Sequence, residues 1–255
     1  MPAPSSTSVA AALARRSAVT LAAVPDGLTG RVLGGLATDS GGRVVFVARD
    51  GQRLAEVERT IRFFSPGVEV LDFPAWDCLP YDRASPNAVI VARRMATLSA
   101  FQSPASAPQI ILTTVNAILQ RVPDRAFVAA GSLSLTGGAL SPMEGIVNWL
   151  ERNGFLRSAT VREPGEYAVR GGILDLYPPG EDDPVRLDFF GDTLETIRSF
   201  DPETQRSTTT RNRIDLVPAN EMLLTPESIA RFRERYVSLF GAAQREDLLY
   251  QSVSE

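Results

Sequence analysis

YAVRGGILDLYPPGEDDPVRLDFFGDTLETIRSFDPETQR, from Tyr167 to Arg206, reads as consecutive β-strands joined by tight turns. Side chains alternate along a strand. In Val185–Phe190 that alternation sends Val185, Leu187 and Phe189 to a core face and Arg186, Asp188 and Phe190 to the opposite one. Gly191 and Asp192 suit a two-residue hairpin loop, which places Phe190 opposite Thr193 and Asp188 opposite Glu195. Two facing carboxylates are mildly destabilising, and Arg170 or Arg186 nearby would offset that. Exposed Arg and Phe side by side match the composition of interface hot spots, so this face is expected to grip another protein. Two plainer readings stand beside it: Phe190 folded under a neighbouring loop, and Arg186 paired with Asp188 or Glu195 in a surface ion pair of little energetic value. Asp175 and Asp188 as a catalytic carboxylate pair have no sign of a cleft or a raised pKa behind them.

Strand signals crowd the surrounding sequence. Phe155–Arg162, Tyr167–Val169, Gly172–Tyr177, Val185–Phe190 and Thr193–Phe200 follow one another. Ahead of them stand a short strand, Ser132–Thr136, and an amphipathic helix, Pro142–Asn153, with Pro142 near its first turn and Gly154 as its stop. Residues 131–215 therefore read as an α+β domain of antiparallel strands. Residues 1–130 read differently. An alanine-rich helix over Val9–Ser17 precedes strand Arg43–Ala48, helix Gln52–Phe64 (Leu54, Val57, Ile61 and Phe64 on one stripe) and strand Val68–Phe73. Helix Ala88–Phe101, strand Gln109–Thr113 and helix Val115–Gln120 complete the series. Strands alternating with helices imply a parallel sheet in an α/β domain. The proline-rich loop Pro74–Pro86 interrupts it, with Trp76 and Tyr81 expected to pack over a sheet edge.

Beyond residue 215 a strand at Arg213–Pro218 leads to Thr225 and Pro226, a helix start by residue type, and helix Glu227–Phe240. Residues 216–255 read as a return to the α/β domain that stops before a domain ending, as in a piece of a longer protein.

Composition excludes several chemistries. The 255 residues contain no histidine, and all 26 basic residues are arginine. The commonest general base and metal ligand is thus absent. Without lysine there is no phosphate-binding loop of the G-x-x-x-x-G-K-[ST] type and no Schiff base. One cysteine, Cys78, gives neither a disulfide framework nor a zinc site and suits a reducing cytoplasm. Ser17–Val24 is too short to span a bilayer, and no cleavage site follows it. Residues 131–215 carry 9 Arg against 14 acids, a poor sheath for nucleic acid, whereas residues 1–130 carry 13 Arg against 10 acids. No catalytic, cofactor-binding or metal site is expected in this chain.

Several motifs in order resemble a known family. RGGILDLYP from Arg170, RLDFFGD from Arg186 and FDPETQR from Phe200 resemble the second domain shared by UvrB and the bacterial transcription-repair coupling factors (Mfd). WDCLPYDRASPN at Trp76–Asn87, the helix carrying Arg93 and Arg94, and LVPANEMLLTPE at Leu216–Glu227 are similar to the coupling factors rather than to UvrB. The likeness runs over roughly residues 20–245. It implies a UvrB-like, helicase-like α/β domain that has lost its nucleotide site, with an inserted domain of the UvrB second-domain type. Val24–Arg31 keeps Gly27 and Gly30 but no G-K-[ST].

The resemblance implies a non-catalytic module that recruits UvrA to stalled RNA polymerase for nucleotide excision repair. The family's UvrA-binding residues fall on Arg170, Arg186 and Phe190. It further implies that the C-terminal part of the full-length protein masks this surface. ATP, magnesium and double-stranded DNA would belong to a distant motor, not to these residues. The alternative is a UvrB-class protein that binds ATP and damaged DNA.

Overall fold

The computed structural model describes residues 11, 18–79, 85–242 and 247–254. Apart from Ala11, the helix read over Val9–Ser17 lies outside them, as does Tyr81. The architecture is mixed α/β, with one parallel sheet and one large antiparallel sheet.

Strands β1 (Arg43–Ala48), β2 (Glu69–Phe73) and β3 (Gln109–Thr114) form the parallel sheet in the order β1-β3-β2. The central β3 is the most buried strand of the three, because helices cover both of its faces. On one side α1 (Thr29–Ser40) and α2 (Gly51–Phe64) bring Leu33, Ala37, Val57 and Ile61 onto Ile110 and Leu112. On the other, α3 (Ala88–Ala100) and the short α4 (Val115–Ile118) bring Leu98 and Ala117 to Ile111 and Phe73. A further helix, α5 (Arg125–Ala130), packs Val128 against Val91 and Met95. Side-chain caps start α2 and α3: Asp50 accepts from the Arg53 N–H and Asn87 from the Val89 N–H.

Helix α1 is an addition to the sequence reading, which assigned no element to these residues. Its glycines serve packing. A Cβ at Gly30 would stand 2.4 Å from the Ile61 nitrogen, and one at Gly34 would stand 1.9 Å from Ser65 Oγ. Only glycine lets α1 lie this close to α2 and the residue that ends it.

The chain leaves the parallel unit through β4 (Leu133–Thr136) and returns through β12 (Arg213–Leu216), and the two pair antiparallel, Leu133 opposite Leu216. Between them lie β5 (Ala139–Leu140), helix α6 (Met143–Arg152), β6 (Leu156–Arg157), β7 (Glu166–Arg170) and β8 (Ile173–Leu176). Then come β9 (Val185–Phe190), β10 (Thr193–Phe200) and β11 (Ser207–Arg211). They make a seven-stranded sheet in the order β11-β10-β9-β8-β7-β6, with β5 on β10. Its inner face carries Tyr167, Leu174, Leu176, Val185, Leu187, Leu194 and Ile197, all buried under Ile146 and Leu150 of α6. The Tyr167 hydroxyl donates to Glu151 on that helix at 2.7 Å.

Two local expectations change, and a third is placed more closely. The strand read over Phe155–Arg162 is only Leu156–Arg157, paired parallel to β7, because Phe155 instead turns into the core beside Trp149. Pro142, expected near the first turn of α6, is its N-cap. The strand read at Arg213–Pro218 is a two-stranded partner of β4 and ends at Leu216.

Arg94 ties the parallel unit to the segment that follows β12. It lies on α3, is fully buried, and donates to Glu221 Oε1 (2.5 Å), Glu221 Oε2 (3.0 Å), Pro74 O (2.9 Å) and Gln120 Oε1 (3.1 Å). Its guanidinium also sits over the rings of Phe73 and Trp76, and the Trp76 indole N–H donates to Glu221 Oε1 at 3.0 Å. The motif segments at 76–87 and 216–227 thus meet around one guanidinium. Farther on, α7 (Pro226–Phe240) starts at a capping box of Thr225 and Ser228 and stacks Phe232 and Tyr236 against Tyr250 of α8 (Leu248–Ser254). Among the described residues no helix is long and apolar enough to cross a membrane.

Candidate functional site: the outer face of the antiparallel sheet

The face turned away from α6 follows from cross-strand register. Asp175 lies opposite Arg186, which lies opposite Arg198. One step along, Arg170 lies opposite Ile173, then Asp188, then Thr196. At the hairpin end Phe190 lies opposite Thr193, as the two-residue loop predicts, and Gly191 supplies the positive φ of 57° that the turn requires. Phe190 is 77% exposed, so it is not folded under a loop.

The opposite end of the same face is closed. Val161, Ala168 and Phe200 form a small buried cluster there. The outer face therefore grades from a sealed apolar patch, through charged side chains, to an open phenyl ring.

Asp188 does not face Glu195. A bulge between Leu194 and Thr196 shifts the register, so Thr196 takes the place opposite Asp188. The Thr196 hydroxyl donates to Asp188 Oδ2 at 2.7 Å, and Arg198 Nη2 donates to the same oxygen at 2.5 Å. The expected carboxylate repulsion is replaced by a hydroxyl and a guanidinium.

Arg186 pairs with neither Asp188 nor Glu195. Its Nε and Nη2 donate to the two oxygens of Asp175 at 2.7 and 2.9 Å. Gln205 O accepts from Nη1 at 3.4 Å, and the guanidinium lies 4.9 Å from the Phe200 ring centre. The hydrogen bonds to Asp175 hold the Arg186 pKa above the ordinary arginine value. Asp175 is only 1% exposed and also has Arg170 Nη1 at 3.9 Å. Its carboxylate is thereby committed to organising two arginines.

Arg170 sits at the end of β7, before the Gly171-Gly172 turn, and its Nη2 donates to Ala159 O at 2.8 Å and Thr160 Oγ1 at 3.3 Å. Arg170, Arg186 and Phe190 are thus brought onto one face, where Asp175 ties the two arginines and Phe190 stands apart at the hairpin end. Sequence reading missed Asp175 as the anchor, Arg198 as the partner of Asp188, and Leu140. Leu140 pairs with Thr193 from β5 and is as exposed as Phe190. The signal for Arg198 was present, since alternation along β10 places it outward. None existed for Leu140, whose strand is two residues long.

The segment Val24–Arg31 forms a short 3-10 turn, Asp26–Leu28, ahead of α1. Asp26 pairs with Arg53 at 2.9 Å, and Arg53 Nη2 also donates to Thr29 Oγ1 at 3.0 Å. A cavity of about 400 Å³ beside this turn is lined by Asp26, Arg53, Arg59, Thr60 and Phe63. Among the described residues no group of three His, Cys, Asp or Glu could hold a metal ion.

Residues 133–222, the span from β4 to just beyond β12, match the family model described as the UvrB interaction domain. The chain is 33% identical over 214 residues to the transcription-repair-coupling factor of Escherichia coli (strain K12), covering 84% of this chain and 18% of that protein. It is 32% identical over 210 residues to the one from Rickettsia bellii (82% and 19%) and 36% identical over 194 residues to the one from Myxococcus xanthus (74% and 16%). The chain spans less than a fifth of the length of these curated relatives. It carries a UvrB interaction domain and is similar, over most of its own length, to a segment of the transcription-repair-coupling factors.

Proposed function

We propose that this chain is the UvrA-recruiting module of a transcription-repair-coupling factor, and that Arg170, Arg186 and Phe190 on the outer sheet face make the contact. The observation that carries the reading is Phe190. A phenyl ring 77% exposed on a strand, on the same face as arginines locked in place by a buried carboxylate, has no folding role that requires it. Large aromatic and arginine side chains held rigidly are the usual anchors of protein interfaces.

In this reading the fragment is a non-catalytic, cofactor-free adaptor at work in the cytoplasm. RNA polymerase, DNA, ATP and the motor belong to other parts of a longer protein, whose C-terminal region masks the docking face. The α/β unit (residues 1–130 with the return at 216–255) is a helicase-like domain without a nucleotide site, and residues 131–215 are the docking domain. Support comes from Gly30, whose freedom is spent on helix packing, and from Asp26, which sets a carboxylate ahead of α1 where a phosphate would meet repulsion.

The test is a titration of purified UvrA with this chain. Phe190→Ala is expected to abolish measurable binding while leaving the fold intact, and normal binding by that variant would overturn the site. A nucleotide titration by calorimetry addresses the UvrB-class alternative, since saturable ATP binding would contradict the loss of the nucleotide site.

A further inference from the structure

The outer face carries a second exposed apolar side chain, delivered from a part of the chain remote from the hairpin. Gly138 N–H donates to Leu194 O at 2.7 Å and Ser141 N–H to Asp192 O at 2.8 Å, so β5 is fastened along the start of β10. In that register Ala139 lies opposite Leu194 and Leu140 opposite Thr193. Leu194 is fully buried in the core, which fixes Thr193 and Leu140 on the outer face. Thr193 also lies opposite Phe190. Phe190, Thr193 and Leu140 therefore form one row across three adjacent strands, with Phe190 and Leu140 each 77% exposed.

Adjacent strands are about 4.8 Å apart, so the two apolar side chains stand about 10 Å apart with a short threonine between them. That spacing admits one large apolar side chain from a partner, touching both walls. Farther along the face Asp175 and Asp188 hold Arg170, Arg186 and Arg198 in ion pairs, and Asp192 is the exposed charge in the turn between Phe190 and Thr193. We infer that Leu140 is a second apolar anchor of the docking surface, and that UvrA offers a large apolar residue to the cleft between Leu140 and Phe190. The inference rests on the reading of this face as the UvrA site and is continuous with it through Thr193.

The experiment measures affinity of the 255-residue chain for purified UvrA. Leu140→Ala should weaken binding about tenfold, Leu140→Asp at least a hundredfold, and Leu140→Met less than threefold, as for anchors that fill an apolar cleft. Leu156→Asp, also on an exposed leucine but on the far strand β6, should bind as wild type. Unchanged thermal melting of Leu140→Ala and Leu140→Met keeps the comparison valid if the aspartate variant unfolds. If Phe190→Ala fails to bind while the Leu140 variants bind normally, the UvrA site stands and the role of Leu140 falls. If Phe190→Ala and the Leu140 variants all bind normally, the site itself falls. Self-association of the wild-type chain that Leu140→Asp abolishes, with UvrA binding intact, would assign the cleft to a second copy of this chain and overturn the inference.

Discussion

Asp175 and Arg186 face each other across β8 and β9 and share two nearly parallel hydrogen bonds, 2.7 and 2.9 Å long, with the carboxylate almost fully removed from water. Removing either partner strands the other. Arg186→Ala leaves a buried carboxylate with only the more distant Arg170 near it, and a loss of about 2–3 kcal/mol is expected in urea denaturation, less than for a fully buried pair because Arg186 keeps some solvent contact. This differs from what an outward arginine on a strand predicts, namely a near-neutral surface change. Phe190→Ala, with its ring in solvent, should stay within about 1 kcal/mol of wild type. The pair of variants separates a residue that builds the surface from one that only displays it.

Asp175→Asn keeps the shape of the carboxylate and removes its charge. We expect a stability loss of about 1–3 kcal/mol and weaker UvrA binding, although Asp175 itself is nearly inaccessible. Binding equal to wild type in a folded Asp175→Asn chain would mean that Arg186 needs no anchoring to dock.

Glu221 holds the buried Arg94 and the Trp76 indole at once. Glu221→Gln should cost about 3–5 kcal/mol, the range for breaking a buried ion pair by one partner. The loss should appear as a split denaturation curve, the emission of Trp76 changing before that of Trp149 in the antiparallel unit. A single transition at a modestly lower midpoint would indicate that the parallel unit does not depend on this link.

Tyr167 makes a prediction at alkaline pH. Burial, reinforced by the hydrogen bond to Glu151, pushes its hydroxyl up to about 12. The neutral form is favoured in the folded state, so the contribution is complete below the unfolded value of about 10 and is lost as pH rises from there through about 12. Tyr167→Phe should lower stability by about 1 kcal/mol at neutral pH and flatten that alkaline decline. Equal pH slopes for the two proteins above pH 10 would contradict it.

Gly30→Ala introduces a single methyl group where Thr60 Oγ1 is 2.3 Å and the Ile61 nitrogen 2.4 Å away. The backbone of α2 cannot step aside, so a loss of about 1–3 kcal/mol is expected in thermal or urea unfolding. A neutral effect would show that α1 and α2 can slide apart.

The antiparallel sheet was more legible than its chemistry. The bounds of β9 and β10 and the outward set Arg186, Asp188 and Phe190 follow from period-2 alternation, a local property. The partner of Arg186 is set by the register of β8 on β9, which no spacing within β9 encodes. The mistaken Asp188–Glu195 pairing came from assuming an unbroken ladder, and the bulge at Glu195 carries no residue signature such as glycine. Helix α1 escaped notice because its glycines lower helix propensity, and they are tolerated there because close packing on α2 compensates. Arg94 was visible only as part of a motif. Its burial depends on Glu221, 127 residues away, and contact over that separation is a property of the folded chain.

The pairing of β4 with β12 has a consequence for ancestry and for engineering. Thr136 and Arg213 lie side by side, about 5 Å apart as in any antiparallel pair, so everything between them hangs from a doorway one strand wide. A segment with such neighbouring ends can be lengthened, exchanged or excised while the chain path on either side stays the same. The antiparallel unit is topologically a cassette, and a short turn joining residue 136 to residue 213 would leave the parallel sheet's own connections untouched.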